Sequence, residues 1–465
     1  MFLQFQLASV PVLGMVSHLL ITFFYISSCP FSIYYNPSPL FSSKVVVHCL
    51  PSTSSSTMPR KIGEVMWPRL VASKILRKTL GSNNFVADFP SGFEDSSLEL
   101  PSLDGASEYN PKSISTDHKE SKNYKVFVST WNVGGVSPTD DLDMEDFQDT
   151  QNNAPCDIYV FGFQEVVPLR AANILGYEEG KICMKWNSLI RKTLNKNTCG
   201  AEHDFRCLIS KQMVGILISV WVRTDLLSFV RGPSVSCVGC GIMGCLGNKG
   251  SVSVRFRLHE TSFCFVCSHL ASGRRLGDEK LRNSNVADIL SRTSFPRGPT
   301  LDFPKKILDH DRVIFLGDLN YRISLPEDEI RLLVEKEEWD ILLGNDQLKQ
   351  ETRDGEAFEG WHEGVINFAP TYKYNFNSDT YYGTIDGGRK DQKKRAPAWC
   401  DRIMWFGEGL KQHLYTRNES KLSDHRPVKA VFTTQVEVLH TVEGFQGFFL
   451  SQSFDFKPIK DDNGS

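Results

Sequence analysis

The sequence predicts an α/β fold in which two β-sheets pack face to face and helices cover their outer surfaces. Three observations lead there. From Tyr124 onward, short runs rich in Val, Ile and Phe recur between loops, the pattern of strands with buried faces. Only a few stretches carry a helical pattern, and this many strands exceed what one flat sheet holds beside so few helices. The 465 residues are 41% hydrophobic and 23% charged, enough to bury a sizeable core, which excludes wholesale disorder.

In chain order, strands are expected at 125–130, 157–163, 214–222, 251–258, 263–268, 313–316, 402–405 and 428–433. Helices are expected at 181–194, 280–290 and 327–343, the last opening with acidic residues where the helix dipole favours them. The polar residues fall at the ends of these strands. Trp131-Asn132 follows the first, Gln164-Glu165 the second, His269 a later one and Asp318-Leu319-Asn320 the strand at 313–316. Asp401 and the Ser423-Asp424-His425 step flank the last two. Singly, each has a plain explanation: Gly-Asp-Leu-Asn is often a turn and Asp-His a cap. Strand ends of one sheet converge in space, so together these residues are expected to line one mouth.

Charge and cysteine content narrow the function. Lys plus Arg number 52 and Asp plus Glu 55, a net charge of -3, so the global basic field of non-specific nucleic-acid binders is missing and any anion site must be local. The 12 Cys are scattered through a long chain, unlike a secreted disulfide scaffold, and reduced thiols in the cytosol are expected. Cys237 and Cys240 form a C-x-x-C with no second pair at finger spacing, so zinc is not expected.

Before the domain the chain changes character twice. The first charged residue is Lys44, and a largely apolar stretch at 10–26 lacks a basic n-region and runs into Pro- and Ser-rich sequence, so residues 1–57 read as a disordered or leader-like extension upstream of Met58. Residues 59–78 are basic with interleaved Trp67, Leu70, Val71, Ile75 and Leu76, suited to an anionic membrane surface or to a solvated arm. Residues 91–122 read as a linker. The expected organisation is an extension at 1–57, a basic segment and linker at 58–122, one catalytic domain at 123–435 and a tail at 436–465.

Several motifs in order resemble the inositol polyphosphate 5-phosphatases over roughly 310 residues. They are Thr-Trp-Asn-Val at 130–133, Gly-Phe-Gln-Glu at 162–165, Leu-Gly-Asn-Lys-Gly at 246–250, Ser-His-Leu at 268–270, Leu-Gly-Asp-Leu-Asn-Tyr-Arg at 316–322, Pro-Thr-Tyr-Lys-Tyr at 370–374, Pro-Ala-Trp-Cys-Asp-Arg-Ile at 397–403 and Ser-Asp-His-Arg-Pro-Val at 423–428. Residues 67–90 look like the N-terminal segment of the plant members. The chain departs mildly, with Gly134 where the family more often has Asn or Ala and Cys245 where it more often has Tyr. The resemblance implies a four-layer α/β/β/α sandwich of the DNase-I-like kind and Mg²⁺-dependent removal of the 5-phosphate from a phosphoinositide headgroup or a soluble inositol polyphosphate.

Hydrolysing such an ester requires neutralising a crowded anion, deprotonating a water in line with the leaving oxygen and supporting the charge on that oxygen. Glu165 is the first choice of metal ligand, with Asn132 beside it and Asp424 near the ion. Asp318 is expected to act as general base or to orient the water, and Asn320 to hold phosphate or water. His425, backed by Asp401, and His269 are expected to donate to phosphate oxygens, although without the resemblance His269 reads first as a satisfied core histidine next to Ser268. Substrate contacts are expected from Tyr321, Arg322, Tyr372, Lys373, Lys394 and Arg395. The last two lie in a run at 389–395 with five basic residues against one acid, which is either a phosphate clamp or a solvated loop. Arg402 is expected to be a structural partner near Asp401. The alternatives are a phosphodiesterase or nuclease on the same scaffold, and a non-catalytic phosphoinositide-binding module. No nucleic-acid partner is expected; a cytoplasmic monomer in peripheral contact with membranes is.

Overall fold

The computed structural model describes residues 85–88, 119–139, 142, 144, 155–168, 179–196, 204–241, 244, 246–298, 303–383 and 395–439, and the backbone of three short strands before residue 50. Two compact units divide the chain, Met1–Val65 and Met66–Ser465. In the first, β1 (Phe5–Gln6), β2 (Phe31–Tyr35) and β3 (Lys44–Cys49) form an antiparallel sheet ordered β1-β3-β2. The rest of the expected extension, most of the expected linker and the tail beyond Leu439 lie outside the described residues.

The second unit runs β4 (Lys119–Asn132), β5 (Ile158–Gln164), α1 (Glu179–Leu194), β6 (Phe205–Met213), β7 (Ile216–Arg223), β8 (Val230–Gly239), β9 (Gly250–Leu258), β10 (Thr261–His269), α2 (Asp278–Arg292), β11 (Arg312–Asp318), α3 (Glu327–Glu335), α4 (Trp339–Gly344), α5 (Gln347–Arg353), β12 (His362–Glu363), β13 (Asp401–Phe406), β14 (Leu410–Arg417) and β15 (Val428–Leu439). These strands make two six-stranded sheets, ordered β14-β15-β4-β5-β7-β6 and β12-β13-β11-β10-β9-β8. Side chains alternate across a strand, so each central strand feeds two apolar layers. Val126, Val128 and Val160 of the first sheet meet Val254, Phe265 and Ile314 of the second in the central core. Phe127, Trp131 and Phe161 point the other way, against Trp186 and Ile190 of α1. Cys264, Val266 and Phe315 pack against Val286 and Ile289 of α2 and against Phe358 and Trp361. The result is the expected four-layer α/β/β/α sandwich.

Each sheet holds one parallel pair, β4 with β5 and β10 with β11, and the register is what assembles the mouth. Asn132 lies opposite Gln164, His269 opposite Asp318, and Asp318 opposite Asp401 across the antiparallel β11–β13 pair. Below the mouth the sheets approach closely at Gly162, where an added Cβ would stand 2.6 Å from Leu316 Cδ1 and 2.9 Å from Cys267 Sγ.

The structure corrects the sequence reading in places. The strands it missed in the second unit, β6, β8, β12 and β14, are the four edges of the two six-stranded sheets. Edges carry charged side chains such as Arg206, Lys211 and Lys411, which weaken the apolar pattern. The single helix expected at 327–343 is α3 and α4, interrupted by Glu337 in the left-handed region at φ 56°. The boundary at 122 also shifts. Val86 pairs antiparallel with Ser210 on the β6 edge at 2.9 and 2.8 Å, while Asp88 accepts from Cys207 N at 2.8 Å and from Arg191, so part of the 67–90 segment, ahead of the expected linker, is bound to the catalytic unit.

Arg402 is fully buried, but its partners are Asp346 at 3.0 Å and Glu363 at 2.6 Å rather than Asp401, because adjacent residues of β13 face opposite sides of the sheet. Removing one partner of a buried ion pair strands the other charge. Arg402→Met is therefore expected to cost roughly 3–5 kcal/mol of stability. Urea unfolding followed by fluorescence measures this, and a wild-type midpoint would show that the triad does not hold β13 in place.

Candidate active site

Asp318 is the centre of the cluster. It ends β11, is 2% exposed, and its Oδ2 accepts from Asn132 Nδ2 at 3.0 Å and lies 3.2 Å from His269 Nε2. Its Oδ1 accepts from Asn320 N at 3.1 Å. Burial pushes the carboxyl up, but the hydrogen bond and charge of His269, then His425 and Lys249, outweigh it and hold the group well below the usual carboxylate range. Asp318 is thus a buried, fixed negative charge.

On one side stand His425 and Asp401. Nδ1 of His425 is 2.9 Å from Asp401 Oδ2, which also accepts from Thr371 Oγ1 at 2.7 Å. Burial pushes the imidazolium down; Asp401 first, with its hydrogen bond, and then Asp318 and Asp424 more than reverse this and raise its pKa to about 9. Asp318, Asp401 and His425 lie within 4.8 Å of one another. An imidazolium held protonated is no metal ligand, so this trio is an acid–base group.

On the other side, Glu165 reaches the mouth with a side chain 29% exposed. Its Oε1 lies 3.5 Å from Asn132 Nδ2 and 3.8 Å from His269 Nε2, so Glu165 and Asp318 converge on the same two nitrogens. Both Glu165 and Asn320 sit in the left-handed region, at φ 53° and 59°, a cost that recurs where function fixes the backbone. A pair of carboxylate oxygens with no soft donor suits a hard divalent cation such as Mg²⁺. Glu165 fits as a ligand. The amide nitrogen of Asn132 faces the carboxylates while its Oδ1 accepts from Gly134 N, and Asp424 is engaged by Lys373.

The remaining expectations divide. Arg322 donates to Asn320 Oδ1 at 2.5 Å and lies over the Tyr372 ring at 4.5 Å, and that ring is 4.6 Å from the His425 ring, which brings Arg322, Tyr372 and Lys373 to the site. Asn320 Nδ2 donates to Leu270 O at 3.2 Å, which braces the loop after β11 with one of its two N–H groups. Tyr321 is not at the mouth: it is fully buried with its hydroxyl on Asn283 of α2 at 2.7 Å, because the residue after Asn320 turns to the outer layer. Lys394 lies outside the described residues, while Arg395 is described. Sequence reasoning missed Lys249, whose ammonium contacts His269 Nε2 and whose pKa burial lowers to about 8 against the pull of Asp318 and Glu165. Its Leu-Gly-Asn-Lys-Gly motif was the available signal.

The comparisons with known proteins agree with this geometry. Residues 129–431 match the Endonuclease/Exonuclease/phosphatase family 2 model. Type IV inositol polyphosphate 5-phosphatase 9 of Arabidopsis thaliana is 64% identical over 84% of this chain and 96% of its own, and type I inositol polyphosphate 5-phosphatase 8 is 43% identical over 80% and 86%. The chain belongs to the inositol polyphosphate 5-phosphatases. The solved 5-phosphatase domain of SPsynaptojanin, in complex with inositol (1,4)-bisphosphate and calcium ion, superposes with a TM-score of 0.59 at 33% identity, covering 69% of this chain and 87% of that one. This 5-phosphatase is accordingly an enzyme of the phosphoric monoester hydrolase class with the DNase-I-like fold. Among its described residues no helix is long and apolar enough to cross a membrane.

A protonated His425 is available below its raised pKa and lost above it. The rate is expected to fall above about pH 9, and in Asp401→Asn, which removes the main elevating charge, the fall should begin at lower pH. A kcat–pH profile unchanged in Asp401→Asn would separate the limb from this pair.

Proposed function

We propose that this 5-phosphatase is a Mg²⁺-dependent enzyme that removes the 5-phosphate from inositol polyphosphates presented as a phosphoinositide headgroup, such as PtdIns(4,5)P2, or in solution, such as Ins(1,4,5)P3. The observation that carries this reading is the fixed charge of Asp318 between a protonated histidine and a second carboxylate facing the mouth. The ligand of the SPsynaptojanin domain supports the substrate class, since inositol (1,4)-bisphosphate is what Ins(1,4,5)P3 becomes on losing its 5-phosphate.

Water attacks phosphorus in line with the bond to the ring oxygen, and that bond breaks as the new P–O bond forms. Asp318 accepts a hydrogen bond from the water and aligns it. A carboxylate held so low is a weak resting base, so it takes the proton only as the forming bond makes the water acidic. His425 has Nδ1 committed to Asp401, which leaves Nε2–H for a phosphate oxygen. Mg²⁺ bound at Glu165 would neutralise phosphate charge and stabilise the leaving alkoxide. Lys373, now held by Asp424, would contact the ring phosphate next to the scissile one. A nuclease reading has no comparable support, because the relatives at 64% and 43% identity are inositol polyphosphate 5-phosphatases and the solved 5-phosphatase domain holds inositol (1,4)-bisphosphate.

Phosphate release from both substrates should require Mg²⁺, and Glu165→Gln should raise the Mg²⁺ concentration needed for half-maximal rate. Full turnover in excess chelator would refute the metal requirement. Asp318→Asn should lower kcat by at least about a hundredfold in a protein that still folds, as read by circular dichroism; wild-type turnover would remove Asp318 from the chemistry.

A further inference from the structure

Beside the catalytic cluster lies a cleft of about 360 Å³ lined by Arg274, Arg275, Arg322 and Arg395. Among the described residues the one acid in its lining is Glu327, which is already shared between Arg331 at 2.9 Å and Arg274 at 3.7 Å. The cleft is therefore strongly cationic in a chain whose net charge is -3. Arg322 ties it to the site, since the same guanidinium contacts Asn320 and Tyr372, and its Nε is buried without a hydrogen-bond partner. Arg274 and Arg275 are carried on a tight turn. Gly273, at φ 141°, leaves no room for a Cβ beside Asp278 Oδ2, which in turn accepts from Arg275 N at 2.7 Å.

We infer that this cleft is an anion subsite for the 3-phosphate of the substrate ring, the group that Ins(1,3,4,5)P4 carries and Ins(1,4,5)P3 lacks, with Arg274 and Arg275 as its specificity-determining residues. This rests on the proposed function of the adjoining site. Guanidinium groups offer paired N–H donors that suit the oxygens of a phosphate monoester. The competing occupant is an anionic bilayer, because Leu276, the next residue of the turn, is fully exposed. The phosphate reading is favoured by Arg322 and Arg395, which line the cleft from the catalytic side and out of reach of a flat surface formed by the turn alone.

The test uses the full chain with Mg²⁺ and the soluble pair Ins(1,4,5)P3 and Ins(1,3,4,5)P4, measuring kcat/KM and calorimetric binding for wild type, Arg274→Ala/Arg275→Ala and Leu276→Ser. The double variant should lose about tenfold or more on the tetrakisphosphate and less than about twofold on the trisphosphate, in both measurements. Leu276→Ser should match wild type on both. Equal losses on the two substrates, or none, would overturn the inference. Unchanged soluble substrates together with lost sedimentation on phosphatidylserine vesicles, shared by Leu276→Ser, would overturn it in favour of bilayer contact. If wild type releases phosphate from neither substrate, the proposed function fails, while the binding arm still decides the subsite.

Discussion

The buried charge of Asp318 is the constraint on which the rest of this molecule depends. A carboxylate with almost no exposure persists as an anion only when donors and cations surround it. Those groups come from elements far apart in sequence: Asn132 from β4, Lys249 from the turn before β9, His269 from β10 and His425 from the step before β15. To bring them together, the chain places two parallel strand pairs at the centres of two sheets and ends both at the same rim. The helices then cover the two outer faces, and the fold follows from the demand that the four strand ends meet.

One flank of the site is buried and braced, and the other is partly exposed. Asp401 and Thr371 hold His425 from behind, and Trp131 Nε1 donates to the His425 carbonyl at 3.2 Å, so the histidine is fixed by the core of the first sheet. Arg402 and its two carboxylates lock β13 from the opposite face. On the substrate flank, by contrast, Lys373 holds Asp424 at a partly exposed position. A metal ion near Asp424 or a phosphate near Lys373 would each compete for that pair, which links occupation of the metal position to recognition of the ring.

Gly134 shows how a small departure fits this arrangement. It adopts φ 58°, and a Cβ there would come within 3.2 Å of Asp424 Oδ1 and Ser423 Oγ. The glycine thus opens the wall beside Asp424 and gives its carboxylate room, at a position where a side chain would crowd it.

The sequence by itself determined the central strands and the polar residues at their ends, because a strand buried on both faces leaves an apolar run and a functional strand end leaves a polar break directly after it; the class of chemistry came with the resemblance of its motifs to a family. It also paired His425 with Asp401 through the family motifs that hold them. The edge strands escaped it, since one side of an edge faces solvent and its pattern dilutes. Tyr321 and Arg402 were misplaced for a related reason: neighbours in a motif can turn to opposite faces, and only register decides which. Lys249 acquired its role from the elements folded around it. So did the arginine cleft, whose members at 274–275, 322 and 395 are scattered in sequence and share no local pattern. Tertiary structure alone makes them neighbours, because charge density is a property of distance in space.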